Sequence, residues 1–296
     1  MSGQAGQSVG VVGAGIMGSA IATRLIETGH RVSVFDLDAA KVAALVAKGA
    51  RAAISPRDAV DGDFVITSLN SASIVERAVF GLDGVAEAGD SSKLLIDMSS
   101  IDPEATRGLA VRLAAMNGMR WVDCPLSGGA PGASAGRLTI MAGGSIADFE
   151  RARLVMASLA KNYTLMGDVG AGQTTKLVNQ VLCAIGFQAV AEAIALAQRG
   201  GVAAERIPAA LAGGRADSAI LQEFGAKIAL HDYSPTGRLD NMLKDIDSVQ
   251  ALARLTKTAM PVTAIIGEIH RAFGAAGQGG ADNSALMRQF DGPRES

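Results

Sequence analysis

Short apolar runs rich in β-branched residues punctuate the first half of the chain, at residues 9–12, 32–35, 64–69, 94–96, 121–122 and 139–141. They are predominantly apolar rather than regularly alternating as in a half-exposed strand, and helical patterns fill the intervals. A strand reads that way when helices cover both faces of a parallel sheet, so the pattern predicts a βαβ series forming an α/β, doubly wound parallel sheet. Ligands of such a sheet sit in the crevice at the carboxyl ends of its strands.

The period changes after Thr164-Leu165-Met166. From 171 to about 198 there is no proline, Gly186 alone interrupts, and apolar residues recur at helical spacing up to Gly200-Gly201. At 1.5 Å per residue this helix would run about 40 Å, longer than most helices inside one compact domain, which predicts a long interdomain helix. Only helical patterns follow, at 205–212, 217–230, 239–258, 261–272 and a short one opened by Asp282. Asp217 and Asp282 suit N-caps and Pro261 a first turn. The expected division is therefore a sheet domain at residues 1–166 and an all-α domain at residues 167–296.

Composition narrows the classes. Of 296 residues, 49% are apolar and 19% charged, which fits globular domains and excludes a disordered tail protein. The formal charge of -2 provides no broad basic surface, so nucleic acid is not expected as a partner. Cys124 and Cys183 are too few for a disulfide framework or a thiolate metal cluster, and a reducing compartment is the simplest reading. The start, Met1-Ser2-Gly3-Gln4-Ala5-Gly6-Gln7, lacks the basic stretch and apolar core of a secretory signal. No apolar run reaches bilayer length without polar interruption. A cytoplasmic protein with no membrane partner is expected.

The first chemistry-bearing motif is Gly13-Ala14-Gly15-Ile16-Met17-Gly18, directly after the first strand and opening a helix that ends near Gly29. The first glycine permits a tight turn, the second lets a pyrophosphate approach the backbone, and the third lets the helix lie close to the strand. The spacing alone is weak in a chain with 36 glycines. Its strand-to-helix setting favours a Rossmann dinucleotide turn, with the phosphates facing the helix amino terminus, over a plain tight turn. The second strand ends at Asp36, where a carboxylate can accept from both ribose hydroxyls and would repel a 2′-phosphate. That favours NAD over NADP as cofactor, and Asp36-Leu37-Asp38 contains no arginine to receive the phosphate. The plainer alternative is that Asp36 only starts a turn with Asp38.

Two further segments bring polar groups to the expected crevice. Asp123-Cys124-Pro125-Leu126-Ser127-Gly128-Gly129-Ala130 lies just past a strand; the Ser127 hydroxyl and the unobstructed amides of Gly128 and Gly129 suit a carboxylate, unless the segment is merely a flexible connection. Gly167-Asp168-Val169-Gly170-Ala171-Gly172 leads into the long helix, where Lys176, Asn179 and Gln180 share one face. A lone lysine is usually a solvated surface residue. Read as a first-turn residue, Lys176 would be disfavoured in its charged form by the helix dipole and by a neighbouring nicotinamide cation, which would bring it towards the range of a general base.

Together, the turn 13–18 with Met17, Asp97-Met98-Ser99-Ser100-Ile101-Asp102-Pro103, the segment from Asp123 through Gly129 to Gly136, Gly170-Ala171-Gly172 leading to Lys176, and Lys244-Asp245 resemble the β-hydroxyacid dehydrogenases. That family includes 3-hydroxyisobutyrate, tartronate semialdehyde and L-threonate dehydrogenases, and the resemblance spans residues 9–290. It implies a 6-phosphogluconate dehydrogenase-like pair of domains, a homodimer or homotetramer, a small hydroxy-acid substrate and Lys176 as the catalytic residue. It implies that Ser127, Gly128 and Gly129 hold the substrate carboxylate. Cofactor contacts are implied for Leu69, Asn70, Ser100 and Lys244, beside the turn residues Gly13, Ala14, Gly15, Ile16, Met17 and Gly18 and the acid Asp36. Relatives commonly carry asparagine at the positions of both Asn179 and Gln180, the second one bonding substrate. Gln180 lengthens that arm by a methylene, which puts substrate choice in question, and together with Leu69-Asn70 it looks more like the L-threonate dehydrogenase branch.

Two other readings share these features. An imine reductase has this architecture and turn but usually carries aspartate or tyrosine at the lysine position. A non-catalytic dinucleotide-binding scaffold would have no need of the lysine. His30, His231 and His270 show no metal-ligand spacing, so no metal is expected, and Cys183 reads as core packing.

Overall fold

The computed structural model describes residues 6–291. Residues 1–5, on which the reading of the amino-terminal stretch partly rests, lie outside the described residues. The sheet unit runs β1 (Ser8–Val12), α1 (Ile16–Glu27), β2 (Arg31–Phe35), α2 (Ala39–Val46), β3 (Arg51–Ala52), β4 (Phe64–Thr67), α3 (Ala72–Phe80), β5 (Leu94–Asp97), α4 (Pro103–Asn117) and β6 (Arg120–Asp123). It continues with β7 (Leu126–Ser127), α5 (Gly129–Ser134), β8 (Leu138–Gly143), α6 (Ile146–Met156) and β9 (Ala160–Gly167). The strand order is β3-β2-β1-β4-β5-β6-β8-β7, with β9 paired to β8.

The six strands from β3 to β6 pair in parallel, as the apolar runs predict. Alternate residues of one strand feed different cores. Phe64 and Ile66 of β4 and Leu94 and Ile96 of β5 join one buried cluster with Ile21, Leu25 and Phe149. Val65 and Leu95 join the opposite one with Val75, Val79, Leu109 and Leu113. Burial on both faces is what makes the runs continuous.

The run at 139–141 enters the sheet reversed, since β8 is antiparallel to β6 and β7. Only α5 and its flanking residues separate β7 from β8, too little chain for a parallel crossover. The two-residue strands β3 and β7 were not expected from sequence.

Helix α7 (Ala171–Arg199) follows, then α8 (Ile207–Leu211), α9 (Ala219–Ala229), α10 (Leu239–Leu255), α11 (Pro261–Ala275) and a final 3₁₀ segment, Asn283–Phe290. The chain divides into two compact units inside α7, one ending at Lys176 and one beginning at Leu177. In the helical unit, Ala184, Phe187 and Ala191 of α7 pack with Leu239, Ile246 and Ile266. Val190 and Ile194 pack with Leu221 and Ile228. By length and composition α7 alone among the described residues would suffice to cross a membrane; these core contacts occupy one side of it.

Two helix starts differ from expectation. Ser218, not Asp217, caps α9: its extended backbone brings Oγ to the Leu221 N–H at 3.0 Å, while Asp217 accepts from Gly213 N–H and the Gln222 amide. The pattern at 205–212 splits into a 3₁₀ turn and α8, because Pro208 has no N–H to continue a helix through it. Asp282 caps the last segment, accepting from Ser284 N–H at 3.0 Å.

Candidate active site

The glycine turn sits between β1 and α1, each glycine in a different situation. Gly13 has φ +101, and a Cβ there would stand 2.5 Å from the Ser68 carbonyl and 2.8 Å from Leu69 Cδ2, so the turn lies against the loop after β4. A Cβ on Gly18 would fall 1.8 Å from the Gly13 carbonyl, which requires glycine for the helix to close on the strand. A Cβ on Gly15 would meet nothing within 4 Å. That open side, at the amino terminus of α1, fits a pyrophosphate approaching the backbone N–H groups. Ile16 is 83% exposed on the same first turn, whereas Met17 packs against the core beneath it.

Asp36 leaves β2 beside this turn. Its Oδ2 accepts from Ala14 N–H at 2.7 Å and its Oδ1 from Asp38 N–H at 2.9 Å. The carboxylate shapes the turn with Asp38 and is also tied to the glycine loop, with lone pairs left over for hydroxyl donors.

At the ends of β5 and β6, two carboxyls are buried side by side, Asp97 in register with Asp123. Burial raises each to about 6, against the opposing pull of hydrogen bonds from Ser99 and Thr67 in the first case and from backbone amides in the second. Asp123 Oδ1 accepts from Gly170 N–H at 2.7 Å and Oδ2 from Gln173 N–H at 2.8 Å, so this side chain caps the start of α7 from outside the helix. The fit is close, since a Cβ on Gly172 would lie 2.5 Å from the Met141 carbonyl and 2.7 Å from Asp123 Oδ2. The sequence reading quoted Asp97, Ser99 and Asp123 within motifs without giving them a role, and passed over Gln173. A polar residue three positions before the lysine was the available signal.

Ser127 ends β7, and Gly128 and Gly129 follow with φ +117 and +60. A Cβ at either would meet only atoms at ordinary contact distance, so it is backbone conformation rather than space that requires glycine here. Both glycines are exposed, leaving their peptide groups accessible. Of the residues expected to border the cofactor, Leu69 is half-buried with its N–H donating to Ser99 Oγ at 3.0 Å, Asn70 is exposed and Ser100 is half-buried.

Lys176 is the sixth residue of α7, which places it in the second turn rather than the first. The helix starts where Asp123 anchors it, at Ala171, and the dipole's influence falls away within the first turn, so that part of the expected push on the amine is reduced. Farther along α7, Asn179 Nδ2 donates to Gln180 Oε1 at 2.9 Å and Gln180 Nε2 donates to Asp245 Oδ2 at 2.5 Å. Lys244 Nζ lies 3.1 Å from Asp245 Oδ1. The structure thus brings Asn179, Gln180, Asp245 and Lys244 into one polar string within the helical unit. His30, His231 and His270 bond to Ser158, Tyr233 and the Ile266 carbonyl respectively.

A glycine turn open at its second position, an acid closing the second strand onto it, and a helical unit sharing a long helix define a dinucleotide-binding oxidoreductase architecture. Residues 8–167 match the family described as the NAD binding domain of 6-phosphogluconate dehydrogenase, and residues 170–290 the one described as NAD-binding of NADP-dependent 3-hydroxyisobutyrate dehydrogenase. The chain is 34% identical to 2-(hydroxymethyl)glutarate dehydrogenase of Eubacterium barkeri, over 96% of this chain and 94% of that one. It is 32% identical to L-threonate dehydrogenase of Cupriavidus necator, over 97% of each. The solved 3-hydroxyisobutyrate dehydrogenase of Mycobacterium tuberculosis, with L-serine, superimposes with a TM-score of 0.87 at 28% identity, covering 97% of this chain and 100% of that one. The chain belongs to the β-hydroxyacid dehydrogenase family and is an oxidoreductase of CH–OH donors that binds a nicotinamide dinucleotide.

Proposed function

We propose that this chain is an NAD-dependent dehydrogenase of a small hydroxy carboxylic acid resembling L-threonate or 3-hydroxyisobutyrate, with Lys176 as the general acid and base. The observation that carries the reading is the rooting of the Lys176 helix on Asp123, at the same carboxyl edge of the sheet that holds the glycine turn. Asp36 accepts from the ribose hydroxyls and opposes a 2′-phosphate, which is the ground for NAD over NADP. The turn 13–18 takes the pyrophosphate, and Leu69, Asn70, Ser100 and Lys244 border the rest of the dinucleotide.

When bound, the oxidised nicotinamide supplies the acceptor for the hydrogen and electron pair leaving the carbinol carbon. The Ser127 hydroxyl and the Gly128 and Gly129 amides hold the acid's carboxylate with neutral donors. Lys176 takes the hydroxyl proton at Nζ in oxidation and returns it in reduction. Asn179 orients the hydroxyl. Gln180, committed to Asp245 through its amide nitrogen, braces Asn179 from behind. Substrate choice rests on this longer arm, since the identities to relatives of different substrate, 34% and 32%, do not separate them. The same reading has the enzyme working in the cytoplasm as a homodimer or homotetramer, without nucleic acid or membrane as partner.

The test is NADH or NADPH formation at 340 nm with L-threonate, 3-hydroxyisobutyrate and D-glycerate, each with NAD and with NADP. General acid–base catalysis contributes about 10² to 10⁴ in rate, so Lys176→Ala should lower turnover by at least that scale and leave NADH binding intact. Unchanged turnover in that variant removes the lysine from the mechanism.

A further inference from the structure

Gln173 is 1% exposed, and its side chain is hydrogen-bonded at both ends of the amide. Nε2 donates to the Ser99 carbonyl at 2.8 Å and Oε1 accepts from Ile101 N–H at 3.2 Å, so the two peptide groups flanking Ser100 are held by one side chain. Its own N–H donates to Asp123 Oδ2 at 2.8 Å. On the far side of the loop, Ser99 Oγ accepts from Leu69 N–H at 3.0 Å. The Ser99 N–H donates at 3.0 Å to Asp97 Oδ1, which also receives the Thr67 hydroxyl at 2.9 Å. The loops after β4 and β5, the end of β6 and the first turn of α7 are strung on one buried chain of hydrogen bonds, and Gln173 joins the loops to the helix.

A leucine of similar volume would fill the space but leave the Ser99 carbonyl and the Ile101 N–H without their partner. Only a side chain with both a donor and an acceptor satisfies the two. Lys176 follows three residues later, one turn along the same side of α7.

We propose that Gln173 is a positioning residue that couples the loops at Leu69 and Ser100 to Lys176, setting the lysine's turn of helix against the segment that borders the dinucleotide. The inference rests on the assignment of Lys176 as proton carrier. Displacing a reacting group by about 1 Å can cost about 10²-fold in rate, so the coupling is read in turnover more than in substrate affinity.

The experiment compares wild type, Lys176→Ala, Gln173→Leu and Gln173→Glu. Turnover of L-threonate and 3-hydroxyisobutyrate is measured between about pH 6 and 10, NADH affinity by fluorescence without acid, and amide exchange at 99–101 and 170–176 in the free protein. Gln173→Leu is expected to lower kcat about 10- to 100-fold with less than about threefold change in KM for the acid. It should also displace the pH limb due to Lys176, weaken NADH binding and speed exchange at Ile101. Gln173→Glu keeps the acceptor for Ile101 and regains a donor to Ser99 only when its carboxyl is protonated, so its activity relative to wild type should recover as pH falls. A folded Gln173→Leu with wild-type kcat, pH limb and NADH affinity overturns the coupling while leaving Lys176 in place, provided Lys176→Ala is impaired. Retained turnover in Lys176→Ala takes both down. Where Gln173→Leu does not fold, Gln173→Glu decides by the same measures, and failure of both to fold overturns the proposal in favour of a purely structural role.

Discussion

Replacing Gly15 with alanine separates the dinucleotide cradle from the scaffold that carries it. Gly15 has φ −64 and ψ −172, a backbone any residue adopts, and its added Cβ meets no atom within 4 Å. Loss of glycine's freedom in the unfolded chain favours the folded state by about 0.4–1 kcal/mol. Alanine's poorer fit at the helix N-cap opposes this by about 0.5–1 kcal/mol. Stability should therefore stay within about 1 kcal/mol of wild type. The same methyl group projects into the open side of the turn, where a pyrophosphate would reach the N–H groups. Losing one hydrogen bond to a charged ligand costs about 1.5–3 kcal/mol, which weakens binding about 10- to 100-fold. The assay is a thermal melt paired with an NADH fluorescence titration. Gly18→Ala serves as the contrast, because its Cβ would fall 1.8 Å from the Gly13 carbonyl and must displace the turn itself, lowering melting temperature and affinity together. A Gly15→Ala protein that melts and binds NADH like wild type would refute the assignment of this turn to the dinucleotide.

Asp36→Asn retains an acceptor for the Ala14 N–H and removes the charge. Relief of repulsion between two charges about 4 Å apart is worth about 1 to 4 kcal/mol between bulk water and a protein surface, so the NADP-to-NAD affinity ratio should rise at least about fivefold; an unchanged ratio in paired titrations counts against the ribose assignment. Burial raises the Asp97 carboxyl to about 6, above its ordinary 3.8, so the folded state keeps a proton that the unfolded chain gives up. That group's contribution to stability therefore falls as pH rises from about 4 through 6 and is constant above. Asp97 Oδ1 takes both hydrogen bonds while Oδ2 has no protein partner among the described residues, so Asp97→Asn keeps the bonds and removes the buried charge. Urea midpoints should show it stabilised at about pH 8, by at most on the order of 3 kcal/mol, and much less at about pH 4.5; equal effects at the two pH values would contradict the buried-charge account.

The elements legible in the sequence are those whose surroundings impose a period. Phe64–Thr67 is buried at every position, so β4 appears as an apolar run, Phe64-Val65-Ile66, closed by a threonine, and α7 appears as one helix because its core-facing residues recur at helical spacing. Arg51–Ala52 and Leu126–Ser127 are too short to show any period, and their place at the sheet's edges comes from pairing with β2 and β8. Helix starts were legible only to within a residue or two. Asp217 and Ser218 are both good caps in type, and the extended backbone at Ser218 decides between them. The start of α7 was read at 171, where it lies, but Lys176 is its sixth residue and so belongs to the second turn rather than to the first, where the sequence reading put it.

In the site, the conformations of the turn glycines and the place of Asp36 beside them were legible because both follow from position along one strand–turn–helix–strand unit. The buried polar chain was not, because it is made of partners far apart in sequence. Gln173 and Ser99 are separated by 74 residues, and Asp123 and Gln173 by 50. A glutamine on a helix reads as exposed unless something shows it buried. Only the folded structure reveals that it is buried, and burial of an amide then demands an account of both its ends. That demand leads from the helix to the Ser100 loop, so the residue least visible in the sequence links the motifs that were most visible.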